Sequence, residues 1–179
     1  MNTILPVPGG IYLSPPGEKD IPAFVKCLND REIFDRTLMI PFPYTETDAL
    51  NFLAFAHDAR SRYGHELNFV IRDANGEMMG GAGYHGKNFH STNAHRDELG
   101  YWVAEPFRNK RVMSRVLPVL VQYGIEVRRL KRIEACIYAF NDASERLLLK
   151  NGFVMEGILR KAYYKNAQFF DAKLFSLIV

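Results

Sequence analysis

The residues best suited to do chemistry are three cations in one short loop. Arg108, Lys110 and Arg111 stand in that loop. The loop follows Glu98–Ala104 (ELGYWVA), an apolar run typical of a mostly buried strand, and an amphipathic helix is predicted to begin near Val112. A helix N-terminus presents unpaired N–H groups and the positive end of the helix dipole, so it attracts anions. We therefore predict a phosphate-binding turn here; the alternative is a solvated charged loop.

A second strand and a capped helix follow downstream. The segment Arg132–Tyr138 (RIEACIY) is a predicted strand, and the polar pair Asn141 and Asp142 can supply the N-cap of a short helix. Gly152 is a natural residue to end that helix, because glycine adopts the left-handed conformation without cost. The local order is therefore strand, anion loop, helix, strand, helix, strand.

This order of segments resembles the GNAT superfamily of acetyl-CoA-dependent N-acetyltransferases. The closest subgroup is the RimJ/RimL-like enzymes, which acetylate protein N-termini. The similarity covers essentially all 179 residues. It rests on Glu98–Ala104, the loop Pro106–Arg111, Asn141-Asp-Ala-Ser144, Lys150-Asn-Gly-Phe-Val-Met-Glu-Gly157, and Leu159-Arg-Lys with Asp171-Ala-Lys-Leu-Phe-Ser.

The resemblance implies a fold and an activity. It implies a single α/β domain over residues 1–179, with a mixed, mostly antiparallel central sheet of six to seven strands and helices on both faces. It also implies transfer of acetyl from acetyl-CoA, the co-substrate, to a primary amine by direct attack in a ternary complex. The amine acceptor would be a protein N-terminus or a small molecule, and a homodimer is common in the family.

The resemblance also assigns residues to the cofactor. CoA would lie with its pyrophosphate over the loop and its pantetheine along the preceding strand. The residues implied are Trp102, Val103, Ala104, Arg108, Asn109, Lys110, Arg111, Val112, Met113 and Asn141. A backbone N–H of Trp102 or Val103 would meet the developing oxyanion, while the Trp102 side chain is better explained as core packing.

Acetyl transfer needs a base for the amine and an acid for the leaving thiolate. Glu98 is the first candidate base, because a glutamate at the matching position serves this role in many GNAT enzymes; an exposed strand-edge charge is the alternative. Glu156 is the second candidate, at a position where RimL-like enzymes carry a glutamate. Ser144 matches the family serine that lies near the cofactor sulfur, although a backbone-bonding role in the first helical turn is equally compatible.

The loop departs from the family pattern at two positions. GNAT loops usually read Q/R-x-x-G-x-G/A, and here Asn109 and Arg111 stand where small residues are expected. Asparagine tolerates the left-handed conformation, whereas the arginine Cβ would crowd the approach unless its guanidinium grips a phosphate. The alternative function is thus a GNAT-fold binding or regulatory protein with a degenerate CoA loop and little or no turnover.

Composition and spacing argue against several other classes of protein. No apolar run approaches the length of a membrane span, and the net charge of +3 is too small and dispersed to indicate nucleic-acid binding. Cys27 and Cys136 show neither metal spacing nor a disulfide framework, which suits a cytoplasmic protein without a metal cofactor. The glycines of Gly81–Gly86 match a dinucleotide fingerprint but are not followed by a helical pattern. His85, His90 and His95 are predicted to lie in a solvated loop.

The elements that must position these residues are also predicted. We expect strands 98–104 and 132–138 to be parallel neighbours that splay apart near Ala104, since a strand–helix–strand connection is right-handed. Pro118 predicts a kink or a shortened first turn in the helix after the anion loop. The other predicted elements are strand Ile11–Ser14, helices Lys19–Asn29, Thr47–Ser61 and Met113–Val127, a hairpin of Leu67–Arg72 with Glu77–Tyr84, and strand Gln168–Ile178.

Overall fold

The computed structural model of the chain describes residues 3–86 and 92–179. The described residues form eight strands, five α-helices and two short 3-10 turns, the latter at Glu18–Asp20 and Glu105–Phe107. The strands are β1 Leu5–Val7, β2 Ile11–Ser14, β3 Asn68–Arg72, β4 Met78–Tyr84, β5 Arg96–Val103, β6 Arg132–Tyr138, β7 Val154–Lys165 and β8 Gln168–Ile178. The helices are α1 Ile21–Leu28, α2 Arg31–Arg36, α3 Glu46–Tyr63, α4 Val112–Glu126 and α5 Asp142–Lys150.

The strands form one sheet in the order β1-β2-β3-β4-β5-β6-β8-β7. Every neighbouring pair is antiparallel except β5 and β6, which are parallel and connected through α4. The predicted parallel adjacency of these two strands is confirmed. The predicted fold class is also confirmed, with one strand more than the expected six to seven.

Helices cover both faces of the sheet. On one face, α4 and α5 pack Val116, Leu120 and Leu148 against inward residues of the strands, including Leu99 and Ile133. Burial of this apolar surface is the main stabilising contribution to the fold. On the other face, the first three helices enclose a second cluster that contains Phe24, Ile33, Ala49, Val70 and Met78. Each functional side chain can therefore be assigned to the α4 face or to the α1–α3 face.

Most element bounds agree with the sequence pattern, and three differ. The short strand β1 and the short helix α2 were not expected, because three and six residues carry too little periodicity to detect. Pro118 lies within an uninterrupted α4, so the expected kink does not divide the helix. None of the helices in residues 3–86 and 92–179 combines the length and apolar character that a bilayer span requires.

Candidate active site between two splayed strands

A gap opens in the middle of the sheet between β5 and β6. Their parallel pairing comprises Arg96 with Arg132, Asp97 with Ile133, and Glu98 with Glu134, and then it stops. Both strands continue beyond this point, each paired only with its outer neighbour. The gap therefore begins after Glu98, five residues earlier than the expected splaying near Ala104.

In the described part of the chain, the edge of β5 that faces the gap carries main-chain groups that do not pair with another strand. The carbonyl of Glu98 accepts from His85 and the N–H of Ala104 donates to Met79, so even-numbered residues of this strand bond to β4. Because alternate residues of a strand direct their main-chain groups to opposite sides, Tyr101 and Val103 direct theirs toward β6. A linear amide-containing ligand can pair with such an edge. Of the two predicted oxyanion donors, this geometry favours Val103 over Trp102.

Glu98 and Trp102 lie on the α1–α3 face of β5. The Trp102 indole covers Gly81, where an added Cβ would lie 2.6 Å from the indole nitrogen, and it packs near Phe24 at a ring distance of 6.4 Å. The glycines of the dinucleotide-like motif thus serve close packing by Trp102 and by neighbouring strands. Glu98 occupies the same face at the start of the gap, with its side chain only 17% exposed.

Tyr101 and Ser144 meet on the opposite face. Burial raises the pKa of Tyr101 to about 12, and the Ser144 hydroxyl opposes that rise as a hydrogen-bonding neighbour. The Tyr101 hydroxyl is buried and has no partner of normal hydrogen-bond geometry among the described residues. Ser144 itself lies in the first turn of α5, where its N–H donates to the side chain of Asn141. Two hydroxyl groups are therefore available at the gap, of which the sequence indicated only Ser144.

The anion loop has the backbone of a glycine-type loop without its glycines. Asn109 has φ 60° and Arg111 has φ 57°, so both residues adopt the left-handed conformation that the family pattern assigns to small residues. Arg111 is the N-cap of α4 and its side chain makes no cap hydrogen bond, so the first N–H groups of this helix have no side-chain cap. The side chains of Val112 and Met113 are buried in the core. These two residues can therefore contribute only their main-chain N–H groups to an anion.

Arg108 has partners that the sequence did not reveal. Its guanidinium forms ion pairs with Asp30 and with Glu32, the latter at 2.8 Å, and its Nε donates to the carbonyl of Val103 at 3.3 Å. We predicted that this side chain would bind pyrophosphate, whereas the structure directs it to carboxylates at the start of α2. Carboxylates satisfy a guanidinium as well as phosphates do, and α2 was not expected from the sequence.

Two further cations, one in the anion loop and one in the helix after it, lie at the surface of this site. Lys110 is exposed, with its Nζ 5.6 Å from the centre of the Phe107 ring. Arg115, in the first turn of α4, donates to the carbonyls of Arg111 and Lys110 at 3.4 and 3.2 Å. Sequence reasoning missed Arg115 because it lies within the helix, although its position one turn after Arg111 places it beside the same loop.

Asn141 joins α5 to α2. It is 7% exposed, and its side-chain oxygen accepts from the Ser144 N–H and from Arg36 Nη1, each at 3.3 Å. Arg36 also pairs with Glu32, which pairs with Arg108. A continuous polar bridge thus runs from the anion loop across α2 to the start of α5. Asn141 holds this bridge with its oxygen, so only its amide N–H₂ remains for the predicted cofactor arm.

Glu156 lies within an ion-pair cluster on β7, β6 and β8. Its two carboxylate oxygens accept from Arg132, at 2.7 Å for Nη1, and one of them also accepts from Ser176 at 2.6 Å. The hydrogen bonds from Arg132 and Ser176 lower the pKa of Glu156 to about 2. A carboxylate held so firmly in its ionised form is a weak proton acceptor. The ion pair therefore favours Glu98 over Glu156 as the base.

Two residues near Glu98 were not predicted. Tyr163 of β7 donates to the carbonyl of Cys136 at 3.0 Å, and its pKa is raised by burial, with the charge of Glu98 contributing. His85, at the end of β4, lies with Nδ1 3.5 Å from Glu98 Oε2. The expectation that His85 and His95 lie in a solvated loop is confirmed, because both are exposed and lie outside the strands; His90 lies outside the described residues.

The polar side chains at the gap differ from those of a metal centre. In the described part of the chain, no three His, Cys, Asp or Glu side chains come together as a metal ion would require. Cys27 and Cys136 form no disulfide. The polar groups at the gap are a carboxylate, an imidazole and hydroxyls, which suit proton transfer to and from an organic substrate.

The sheet with one splayed parallel pair, followed by a helix without a side-chain cap, agrees with the fold that the sequence resemblance implied, and so does comparison with known families. Residues 11–154 match the acetyltransferase (GNAT) domain. The chain belongs to the GNAT family.

Two curated relatives show the level of similarity. An uncharacterized N-acetyltransferase of Bacillus subtilis (strain 168), YoaA, is 34% identical over 102 residues, which are 57% of this chain and 56% of that protein. The ribosomal-protein-serine acetyltransferase of Escherichia coli (strain K12) is 29% identical over 82 residues, 46% of each chain. The matched part of the chain thus spans about half the length of these relatives.

Solved structures share the whole fold. A RimL ribosomal L7/L12 alpha-N-protein acetyltransferase in complex with coenzyme A has a TM-score of 0.86 at 21% identity, covering 99% of this chain and 98% of that one. RimJ of Mycobacterium smegmatis in complex with a CoA disulfide has a TM-score of 0.85 at 23% identity, covering 99% and 87%. At these identities the likeness establishes the fold.

Proposed function

We propose that this protein is an acetyl-CoA-dependent N-acetyltransferase that acetylates a primary amine by direct attack. The observation that carries the proposal is the gap after Glu98, with a carboxylate on one face of β5 and two hydroxyls on the other. Such an arrangement can accept a proton on one side of a bound thioester and donate a proton on the other.

The main-chain groups at the anion loop and along β5 support CoA as the source of the acetyl group. The uncapped start of α4 and the left-handed Asn109 and Arg111 present main-chain N–H groups to a pyrophosphate. The edge of β5 at Tyr101 and Val103 presents main-chain groups to the amides of a pantetheine arm. Asn141 can add its amide N–H₂ at the start of α5. When bound, acetyl-CoA supplies the activated acyl group and a good leaving thiolate.

The residues of the chain divide the proton transfers between them. Glu98 accepts a proton from the ammonium form of the acceptor, because only the neutral amine has a free lone pair. The N–H of Val103 donates to the acyl oxygen as negative charge develops there. Ser144, with Tyr101 beside it, donates a proton to the sulfur as the C–S bond breaks. Glu156 takes no part, because Arg132 and Ser176 already hold its carboxylate.

A protein N-terminus is the acceptor we favour over a small-molecule amine. Support comes from the similar proteins: a relative by sequence and a solved structure with the same fold are both named as acetyltransferases of ribosomal proteins. Short peptides with free N-termini, alongside polyamines and free amino acids, would test this preference by their relative kcat/KM. The predicted homodimer and cytoplasmic location stay predictions.

A GNAT-fold binding protein with little turnover is the second candidate. The observation in its favour is the arginine at a left-handed position of the phosphate loop, where the family pattern has small residues. Calorimetric titration with acetyl-CoA, followed by a thiol-release assay with amines, separates the candidates. Binding with release of CoA thiol supports the enzyme, and binding without any release supports the second candidate. Absence of binding at millimolar acetyl-CoA contradicts the enzyme proposal.

A further inference from the structure

We infer that His85 is the proton-relay partner of Glu98, carrying the acceptor's proton from the carboxylate to solvent. This inference rests on the proposed N-acetyltransferase function and names a residue that the GNAT motifs in the chain do not include. His85 acts through Glu98, so its role is that of a positioning and relay residue. The sequence alone placed it in a solvated loop.

The Glu98 side chain lies deeper in the protein than the side chain of His85. His85 Nδ1 lies 3.5 Å from Glu98 Oε2. The Glu98 side chain is 17% exposed and the His85 side chain is 40% exposed, so the imidazole is the more solvent-accessible member of the pair. Hydrogen bonds used in catalysis are often longer before substrate binds, and a small side-chain rotation closes this distance.

The backbone holds His85 against β5. The N–H of His85 donates to the carbonyl of Glu98 at 2.9 Å, which fixes the register of the two residues. The imidazole Nε2 lies over Gly100, where an added Cβ would be only 3.1 Å away. Glycine at position 100 therefore allows the ring to lie close to the strand and beside the carboxylate.

Gly86, the residue after His85, is held by a side chain on the opposite face of β5 from Glu98. The N–H of Gly86 donates to both carboxylate oxygens of Asp97, at 3.1 and 3.0 Å. Asp97 is 1% exposed and pairs with the buried Arg128 at 2.8 Å. This buried ion pair anchors the chain immediately after His85, and it keeps the imidazole at the end of β4.

Among the described residues around Glu98, the histidine is the group best suited to relay a proton. On β5 and β6, Arg96 and Arg132 both bind Glu134, the strand partner of Glu98. From β7, the phenol of Tyr163 has a pKa raised by burial, so it stays protonated near neutrality. Asp97 and Arg128 lie on the other face and compensate each other. An imidazole is the side chain whose ordinary pKa lies nearest neutrality, so it can both accept and release a proton there.

The proton balance is simple. The acceptor ammonium loses one proton to Glu98 Oε2, and the neutral amine forms the new C–N bond. As the C–S bond breaks, the Ser144 hydroxyl protonates the thiolate, and the second proton lost from the nitrogen restores that hydroxyl. One proton, the one on Glu98, therefore leaves the site for each acetyl group transferred. Glu98 then passes this proton to Nδ1 of a neutral His85 while Nε2 releases its own proton to water. The carboxylate is regenerated in its ionised form, and the imidazole returns to its neutral form by exchange with solvent.

The test compares His85→Ala and His85→Gln with the parent in single-substrate kinetics from pH 6 to pH 9. We expect kcat to fall about tenfold or more in both variants, with an unchanged Kd for acetyl-CoA. The shape of the pH profile of kcat should also change in both variants. Added imidazole should restore turnover to His85→Ala in proportion to its concentration and should not restore His85→Gln, whose side chain fills the space. His57→Ala, at an exposed histidine of α3, is the matched control and should equal the parent.

The outcomes distinguish the relay from the function on which it depends. If the parent turns over and His85→Gln retains full kcat with the parental pH profile, the relay is wrong and Glu98 exchanges its proton with water directly. Loss of kcat in His85→Ala without any imidazole rescue also contradicts the relay, because a purely structural role predicts that result. A parent that transfers acetyl to no amine overturns both the relay and the proposed function.

Discussion

Glu98 and Glu134 are strand partners at the last parallel pair before the gap, yet they have different neighbours. Glu134 accepts from Arg96 and from Arg132. Glu98 instead lies beside the imidazole of His85, at 3.5 Å. Two guanidinium groups already donate hydrogen bonds to the Glu134 carboxylate, whereas an imidazole can exchange a proton with the carboxylate beside it. The placement of arginines thus separates a structural carboxylate from one suited to proton transfer.

The same substitution at two glutamates tests this separation. Glu98→Gln should lower kcat by about 10²-fold to 10⁴-fold, because the amide cannot accept the amine proton, and it should leave the Kd for acetyl-CoA unchanged. Glu156→Gln should retain most of the parental kcat, since its carboxylate is held by Arg132 and Ser176. Steady-state kinetics on both variants is the measurement. A larger loss in Glu156→Gln than in Glu98→Gln would reverse the assignment of the base.

Glu156 should instead contribute to stability in a pH-dependent way. Its pKa is lowered from 4.5 to about 2 in the folded protein, so folding favours the ionised form. Its stabilising contribution is therefore complete above about pH 4.5 and is lost progressively as the pH falls through about 2. We expect the Tm difference between the parent and Glu156→Gln to be constant from pH 7 to pH 5 and to shrink below that range. A difference that grows on acidification would contradict the ion pair.

Tyr101→Phe should separate stability from turnover. The Tyr101 hydroxyl is buried without a partner of normal geometry in the described part of the chain, and such a group costs about 1 kcal/mol or more. Its removal should raise the free energy of unfolding measured in urea. The kcat should fall, because the hydroxyl beside Ser144 is lost from the proton-donating side of the gap. Ser144→Ala is the companion variant, and an unchanged kcat in both would remove the hydroxyl pair from the mechanism.

The sequence predicted the framework of the site better than its side-chain partners. The strands at 98–104 and 132–138 were predictable because each is a short apolar run bounded by a loop. The backbone of the anion loop was also partly predictable, since the family pattern places small residues at 109 and 111, and both positions have positive φ. The partners of Arg108 were not predictable. Asp30 and Glu32 are more than 70 residues away in the sequence, and they lie at the start of a helix of only six residues. Long-range ion pairs leave no periodic signal in a sequence.

Arg108→Ala should therefore affect the fold more than the cofactor. The guanidinium links the anion loop to the start of α2 through Asp30 and Glu32. A double-mutant cycle with Asp30→Ala should give a coupling free energy of about 1 kcal/mol in urea unfolding. The cycle with Glu32→Ala should give less, because the Glu32 side chain is 51% exposed. A loss of CoA affinity of tenfold or more without any loss of stability would restore the pyrophosphate role first assigned to this side chain.

Arg111→Gly should change stability and affinity in opposite directions. The left-handed conformation of Arg111, with φ 57°, costs a non-glycine residue about 1 kcal/mol, so glycine should raise the free energy of unfolding by a similar amount. The exposed guanidinium at the uncapped start of α4 is suited to a phosphate, so its loss should weaken acetyl-CoA binding about tenfold. The binding that remains should depend less on salt. Asn109→Gly is the matched control, because it relieves a similar conformation, φ 60°, without removing a charge. If Arg111→Gly instead tightens binding as much as it stabilises the fold, the arginine obstructs the site and the second candidate function gains support.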